Sequence, residues 1–388
     1  MRHNRKKILI LTLVHPDLLP PVYAIARTLR DEGATVHVLT FDSPVPSESK
    51  TETGITIESA GRHHGLGLMQ RLAIRRQFTS RAAILAGESP DAIIACCAFS
   101  FLCGLKVKKQ TPLVYHALEM SDFLWRSIKR SPLSMLNTLL ALRSIHKADM
   151  VTTPSAQRAA WLAGRCKMET MPQVVLNTVY LSDTAASDTL STYRDLVPAQ
   201  LHGKKTILYM GSVNTQNCVL ELVQAFCSVN NQDSALLIAG MKDTAYCNDI
   251  RNYVAQSAVA DRIVLFPFVA GSTKTALQTH ADIGVCLARE TDDPESKMTA
   301  PNKVGEYLAC GLYVLGSATV YMQLFELLEV ASLAAMPDAK SIAGAMTDAL
   351  VAVQDPQYKR RIDKFVNRYY CMQQQIEPIS DFIAARKP

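Results

Sequence analysis

The sequence predicts an α/β protein built from two doubly wound domains, each with a parallel sheet. Three observations carry that prediction. At 388 residues the chain exceeds what one ordinary hydrophobic core organises and suffices for two. Short Ile/Leu/Val runs alternate with stretches of helical period, first in the amino-terminal half and again in the carboxy-terminal half. Between the two series lies one polar segment, residues 181–203, rich in Ser, Thr and Asp. Continuous apolar strands separated by helices require a parallel sheet covered on both faces.

The elements follow in chain order. Residues 7–14 read as a first strand. Residues 18–32 have helical spacing through Leu19, Val22, Ile25, Ala26 and Leu29, and Gly33 supplies a left-handed stop. Strands are expected at 35–40, where Val36 and Val38 alternate with polar neighbours, and at 55–58, 91–97, 112–116, 149–153 and 173–176. After the polar segment, read as a linker, strands are expected at 206–210, 235–239, 262–266, 282–287 and 312–316, each followed by a helix. Ligands of such sheets bind beyond the carboxyl ends of the strands, so two such domains face each other across a central cleft where two substrates meet.

Composition narrows the class. Hydrophobic residues make up 48% and charged residues 20% of the chain, a soluble globular balance, with no uncharged apolar run of membrane-spanning length. The basic amino terminus (Arg2, Arg5, Lys6, Lys7) precedes an apolar run too short for a signal peptide, cut off by Pro16 and Asp17. Ten cysteines, with no Cys-x-x-Cys spacing, fit buried thiols in a reducing cytoplasm better than a disulfide framework or a zinc site. The net charge of +6 is compatible with an anionic membrane surface and does not point to nucleic acid. No Gly-x-Gly-x-x-Gly loop follows the first strand, which argues against a dehydrogenase, and no Ser-His-Asp constellation can be assembled.

The stretch Ala300-Pro-Asn-Lys-Val-Gly-Glu-Tyr-Leu-Ala-Cys-Gly311 is the most informative. Pro301 fits the first turn of a helix and Gly311 its stop. Lys303 and Glu306, three residues apart, share one face, with Val304 and Leu308 on the core side. A helix start at the sheet edge favours a phosphate, which Lys303 neutralises while Glu306 accepts hydrogen bonds from two ribose hydroxyls. The bland alternative is a surface Lys–Glu pair on a buried helix.

Residues 301–314 resemble the Pro-(Ser/Asn)-Lys-x-x-Glu-Tyr-x-Ala-x-Gly-x-x-Val segment of the retaining glycosyltransferases of family 4 (glycosyltransferase group 1), which have the GT-B fold of two Rossmann-like domains. Other stretches resemble the same family in the same order: Ile207-Leu-Tyr-Met-Gly211, Leu236-Leu-Ile-Ala-Gly240, Val264-Leu-Phe-Pro-Phe-Val269, Ala281-Asp-Ile-Gly-Val-Cys-Leu287, Ala148-Asp-Met-Val-Thr-Thr-Pro-Ser155 and Val175-Leu-Asn177. The resemblance implies an acceptor-binding domain at 1–180, joined by a returning helix at 370–388, and a donor-binding domain at 181–369. It implies a donor site of Gly211, Ser212, Asn217, Phe268, Asn302, Lys303 and Glu306, an acceptor side with His15 and Glu119, and Glu119 and Lys303 as the catalytic pair. The co-substrate is a UDP-, GDP- or ADP-linked sugar with no metal or other cofactor; the acceptor is a glycan or lipid-linked sugar of a cell-surface polysaccharide or glycolipid.

Four positions depart from the family pattern. Ser212 and Asn217 stand where an Arg and a Lys grip the diphosphate, Met298 replaces the first of two paired glutamates, and Leu118 replaces a His. A catalytically inactive GT-B binding or scaffolding protein is therefore the alternative reading. Asp292 and Asp293 read as a solvated acidic loop. Arg71, Arg75 and Arg76 among Leu72, Ile74 and Phe78, and Trp125, Arg126, Lys129 and Arg130 before Leu133, Leu136, Leu139 and Leu140, suggest interfacial helices at the inner face of the cytoplasmic membrane.

Overall fold

Seven apolar segments of the first half pair as one parallel sheet: β1 (Lys7–Leu11), β2 (Thr35–Thr40), β3 (Ile55–Ser59), β4 (Ala92–Ala95), β5 (Leu113–His116), β6 (Met150–Thr153) and β7 (Gln173–Val174). Their spatial order is β3-β2-β1-β4-β5-β6-β7, so the chain works outward from β1 and then returns to its other side at β4. The computed structural model describes residues 5–42, 52–62, 66–118, 132–181, 189–289, 298 and 300–386. Two units result, Met1–Tyr180 with Met372–Pro388, and Leu181–Cys371.

In the first unit the helix Pro20–Asp31 starts with proline at its first positions and buries Val22, Ile25 and Leu29. That stripe packs with Ile8 and Ile10 of β1, and with Met372, Ile376, Ile379 and Ile383, in one core. Two buried polar side chains of this unit illustrate the pairing that burial favours. The His116 Nδ1 lies 2.7 Å from the Thr152 hydroxyl, and the buried Arg158 guanidinium donates to the Leu118 carbonyl. Burial, and then the neighbouring Arg158 charge, lower the His116 pKa to about 3, so this imidazole is neutral at physiological pH.

The second unit repeats the winding with six parallel strands: β8 (Lys205–Met210), β9 (Ser234–Met241), β10 (Ile263–Pro267), β11 (Ile283–Cys286), β12 (Tyr313–Ser317) and β13 (Ala331–Ala334). Their order is β10-β9-β8-β11-β12-β13, the doubly wound order with its switch point between β8 and β11. Helices start where the sequence offers caps: Thr244 bonds the Cys247 amide, and Asp338 bonds the Ser341 amide.

Three expectations are corrected. Residues 181–203 are not a plain linker, because they hold the helix Thr189–Leu196 and the short turn Ala199–Leu201. Tyr193 is buried, packs at a tilt with its ring centroid 5.1 Å from that of His280, and bonds the Thr206 hydroxyl; one apolar face outweighs a polar composition. Strand β13, too short and too rich in small residues to show a pattern, was not expected. Pro301 lies before the helix Asn302–Ala309, in an extended conformation (φ −69°, ψ 127°), and not in its first turn.

Candidate functional site

The helix Asn302–Ala309 lies between β11 and β12 in the chain and begins without a side-chain cap. The Val304 amide donates to the Pro301 carbonyl at 3.2 Å, and no side chain among the described residues caps the two amides before it. Lys303, the second residue, extends its ammonium to 4.7 Å from the centroid of the Tyr209 ring, a cation–π distance. It makes no ion pair among the described residues. Tyr209 is itself buried and bonds the Ser212 carbonyl at 2.6 Å, so the aromatic platform under Lys303 also fixes the loop after β8.

That loop is packed backbone against backbone. Gly211 has φ +143°, and a Cβ there would stand 3.2 Å from the Lys303 ammonium. Gly240, at the end of β9 with φ +121°, faces it so closely that a Cβ would fall 1.8 Å from the Gly211 carbonyl oxygen. Only glycine fits both positions. Ser212 accepts a second bond through its carbonyl, from the Asn217 amide at 2.7 Å. The two residues that replace a basic pair therefore hold the loop together rather than present charge.

Glu306 does not pair with Lys303, although they share a helix. Its Oε1 receives the Lys274 ammonium at 2.8 Å and its Oε2 the Gln278 amide at 3.2 Å, both from the helix Gly271–His280. The next residue, Tyr307, is fully buried, and its hydroxyl accepts a bond from the Met210 amide at 3.0 Å. The motif is thus tied to the end of β8 through Tyr307 and to the helix after β10 through Glu306. Burial, then the Glu306 charge, push the Cys310 thiol up to about 12, which keeps it protonated at neutral pH.

Of the other expected residues, Asn302 opens the motif helix, and Phe268 stands just past β10 with 55% of its surface exposed. His15 is buried in the first unit after β1, its carbonyl accepting from Leu18. Glu119 lies outside the described residues, as do Asp292, Asp293, Trp125, Arg126, Lys129 and Arg130. On the helix Leu68–Gly87 the expected basic-apolar face is only partly exposed. Phe78 is buried and Arg75 lies over the Phe99 ring, while Leu68, Met69 and Leu72 are exposed beside Arg71 and Arg76.

Sequence reasoning missed Lys274, Gln278, Tyr209 and Arg289. Lys274 and Gln278 are four apart on one helix, a spacing that marks a shared face. Arg289 reaches from the loop after β11 to Glu221 at 2.6 Å, and its amide donates to the Gln216 carbonyl, bringing a guanidinium beside the β8 loop. No group of three or more His, Cys, Asp or Glu side chains able to hold a metal occurs among the described residues. Two cavities of this unit lie elsewhere. One of about 310 Å³, lined by Tyr193, Arg194, His202, Lys205 and His280, opens at the amino-terminal end of β8. Another of about 360 Å³ lies beside the helix Val219–Ser228. The site is therefore assigned from side-chain chemistry, not from concavity.

Comparison with known proteins gives two family matches. Residues 204–351 match the family described as Glycosyl transferases group 1, and residues 22–182 match Glycosyltransferase Family 4. No curated protein sequence matches. Among solved structures, sucrose-phosphate synthase from Thermosynechococcus elongatus superposes with a TM-score of 0.72 at 16% identity, over 98% of this chain and 100% of that one. HepE of Anabaena, in complex with UDP-glucose, gives 0.71 at 15% identity over 98% and 100%. WaaG, a glycosyltransferase involved in lipopolysaccharide biosynthesis, gives 0.70 at 15% over 98% and 100%. Likeness at this identity is a likeness of fold.

Proposed function

The chain belongs to the family 4, group 1 glycosyltransferases of GT-B fold, and from that premise we propose that it moves a sugar from a nucleoside diphosphate to a glycan or lipid-linked acceptor, with retention of anomeric configuration. The observation that carries the donor assignment is the placement of Lys303 and Glu306 at one loop edge. Lys303 is held over Tyr209 beside the backbone of Gly211 without an ion pair among the described residues, and Glu306 is fixed on the same helix. HepE, of the same fold, is a structure in complex with UDP-glucose, which supports a nucleotide-sugar donor here. Retention rests on the resemblance to the retaining enzymes.

In this reading the diphosphate lies against the loop Gly211–Asn217 and the open amides at Asn302, and Glu306 receives the ribose hydroxyls. Phe268 lies on the base side. The bond between the anomeric carbon and the β-phosphate oxygen breaks, the oxygen keeps the electron pair, and an acceptor hydroxyl oxygen bonds the anomeric carbon while its proton passes to the released diphosphate. Negative charge grows on the leaving diphosphate, so Lys303 and the helix start act more strongly in the transition state than in the ground state. With Ser212 and Asn217 uncharged, these two groups carry more of that stabilisation, and no metal is assigned a role; a chelator should leave the rate unchanged. His15 and Glu119 are assigned to the acceptor side, Glu119 assisting as catalytic carboxylate. A cell-surface polysaccharide or glycolipid product, and a peripheral position on the cytoplasmic face, fit the exposed Leu68, Met69 and Leu72 beside Arg71 and Arg76. No described helix is long and apolar enough to cross a membrane.

Calorimetric titration with UDP, GDP and ADP tests the donor site. Glu306→Ala should weaken the preferred nucleotide roughly tenfold or more, the worth of a hydrogen bond to a charged group. Lys303→Ala should lower turnover more than affinity. Wild-type protein that binds none of the three nucleotides would refute the assignment.

A further inference from the structure

The Glu306 carboxylate is already engaged before any ligand arrives, and the way it is engaged is specific. Each oxygen receives one donor: Oε1 the Lys274 ammonium at 2.8 Å, and Oε2 the Gln278 amide at 3.2 Å. Both donors stand four apart on the helix Gly271–His280. Gln278 is buried at 5% exposure, the Glu306 side chain is 15% exposed, and the Lys274 side chain is 32% exposed. An ionised carboxylate offers about four lone-pair positions, two on each oxygen. One donor per oxygen leaves one acceptor position on each.

We propose that Lys274 and Gln278 are positioning residues for donor recognition, holding the Glu306 carboxylate so that its two remaining acceptor positions receive the vicinal hydroxyls of a ribose. The proposal rests on the donor site described above and adds two residues to it. A glutamate side chain free to rotate must be ordered when the nucleotide binds, and that ordering opposes affinity. A carboxylate fixed at both oxygens is ordered in advance. The ammonium of Lys274 has a second effect. It neutralises Glu306 from the helix Gly271–His280, so Lys303, three residues away on the motif helix, is left over the Tyr209 ring and free to meet phosphate.

A structural ion pair between two helices would give the same distances, so the test reads recognition of the 2′-hydroxyl rather than stability. Full-length protein is titrated with UDP, GDP and ADP and with the 2′-deoxy form of whichever binds. Wild type should prefer the ribonucleotide by about tenfold or more, the worth of one hydroxyl bonded to a charged carboxylate. Glu306→Ala should abolish that preference. Lys274→Met and Gln278→Leu, which keep most of the side-chain volume, should each reduce the preference severalfold, raise the donor KM and change kcat less. Lys274→Arg, which keeps the cation, should recover most of it. The inference is overturned if Lys274→Met with Gln278→Leu discriminates like wild type, or if that pair loses ribo- and deoxynucleotide binding in equal proportion. If Glu306→Ala itself still discriminates, the ribose assignment of the donor site fails first, and the two failures are told apart.

Discussion

The two units are wound alike but differ in what they carry at the turning point of the winding. In the first, the loops that follow β1 and β4 contribute Thr12, Leu13, Val14, His15, Cys96 and Cys97, with no acidic or basic residue except His15. Cys97 spends its thiol on capping the helix Ala98–Val107, accepting from the Ser100 amide. In the second, the loop after β8 is met by Lys303, whose ammonium lies over Tyr209, and by Arg289 from the loop after β11. Topology thus provides the same place twice. The charge that makes one of them a candidate diphosphate site comes from a helix added later in the chain. Neutral hydroxyl and thiol groups suit a sugar; an ammonium beside open helix amides suits a phosphate.

Acid should act on the first unit most strongly. The His116 pKa is depressed in the folded chain to about 3 from an ordinary 6.5. Below 6.5 the unfolded chain takes up the proton first, so stability is full above that pH and is lost as pH falls towards 3. At about 1.4 kcal/mol per pH unit, the loss across the window is roughly 3–5 kcal/mol. Unfolding midpoints of wild type and His116→Gln should diverge in that window, with the variant showing the shallower slope; parallel slopes would mean that the buried imidazole is not the acid-sensitive group.

The second unit should answer to backbone crowding instead. Gly240→Ala places a carbon 1.8 Å from the Gly211 carbonyl and should cost about 3 kcal/mol or more, with nucleotide affinity falling as the β8 loop shifts. Gly344→Ala is the control: nothing stands within 4 Å of its would-be Cβ, and in a helix the change should stabilise by about 0.5–1 kcal/mol. Equal losses in a thermal melt would show that the crowding at Gly240 does not govern the loop. Tyr307→Phe strips the Met210 amide of its acceptor and should cost about 1–3 kcal/mol, a smaller fall in the same melt.

The smallest effect concerns the outer surface of the first unit. Arg71 and Arg76, near Leu68, Met69 and Leu72, should each add about 1 kcal/mol to binding of anionic vesicles at low salt, weakening as ionic strength rises. Flotation of Arg71→Ser with Arg76→Ser beside wild type measures it. Wild type that stays in solution at low salt would leave that helix as an ordinary solvated face.

The strands were legible because a parallel sheet buries both faces, and β2 begins and ends where Val36 and Val38 place it. The ends of β1 and β4 were overestimated, since apolar residues continue into the loops past Leu11 and Ala95. The helix Thr189–Leu196 was hidden by its composition, with Tyr193 as the one large side chain that anchors it. Of the site, the motif helix and its position among the strands were readable in residues 300–311. What lay beyond reach was who holds whom. Lys303 and Glu306 are neighbours in sequence, yet one is steadied by Tyr209 from β8 and the other by Lys274 and Gln278 from the helix after β10. Such pairings depend on which elements the winding brings together.

The first unit is not a continuous piece of chain. Its core is completed by Met372, Ile376, Ile379 and Ile383, which are made only after all of Leu181–Cys371. During synthesis the second unit, continuous in sequence, can close while the first still lacks four buried aliphatic side chains, reversing the usual rule that amino-terminal domains fold first. Those four residues meet β1 and the helix Pro20–Asp31 across some 350 positions of chain, and contacts so distant in sequence form slowly. The unit whose strands are synthesised first is therefore the one that waits, with part of its apolar face uncovered until residues 372–383 arrive.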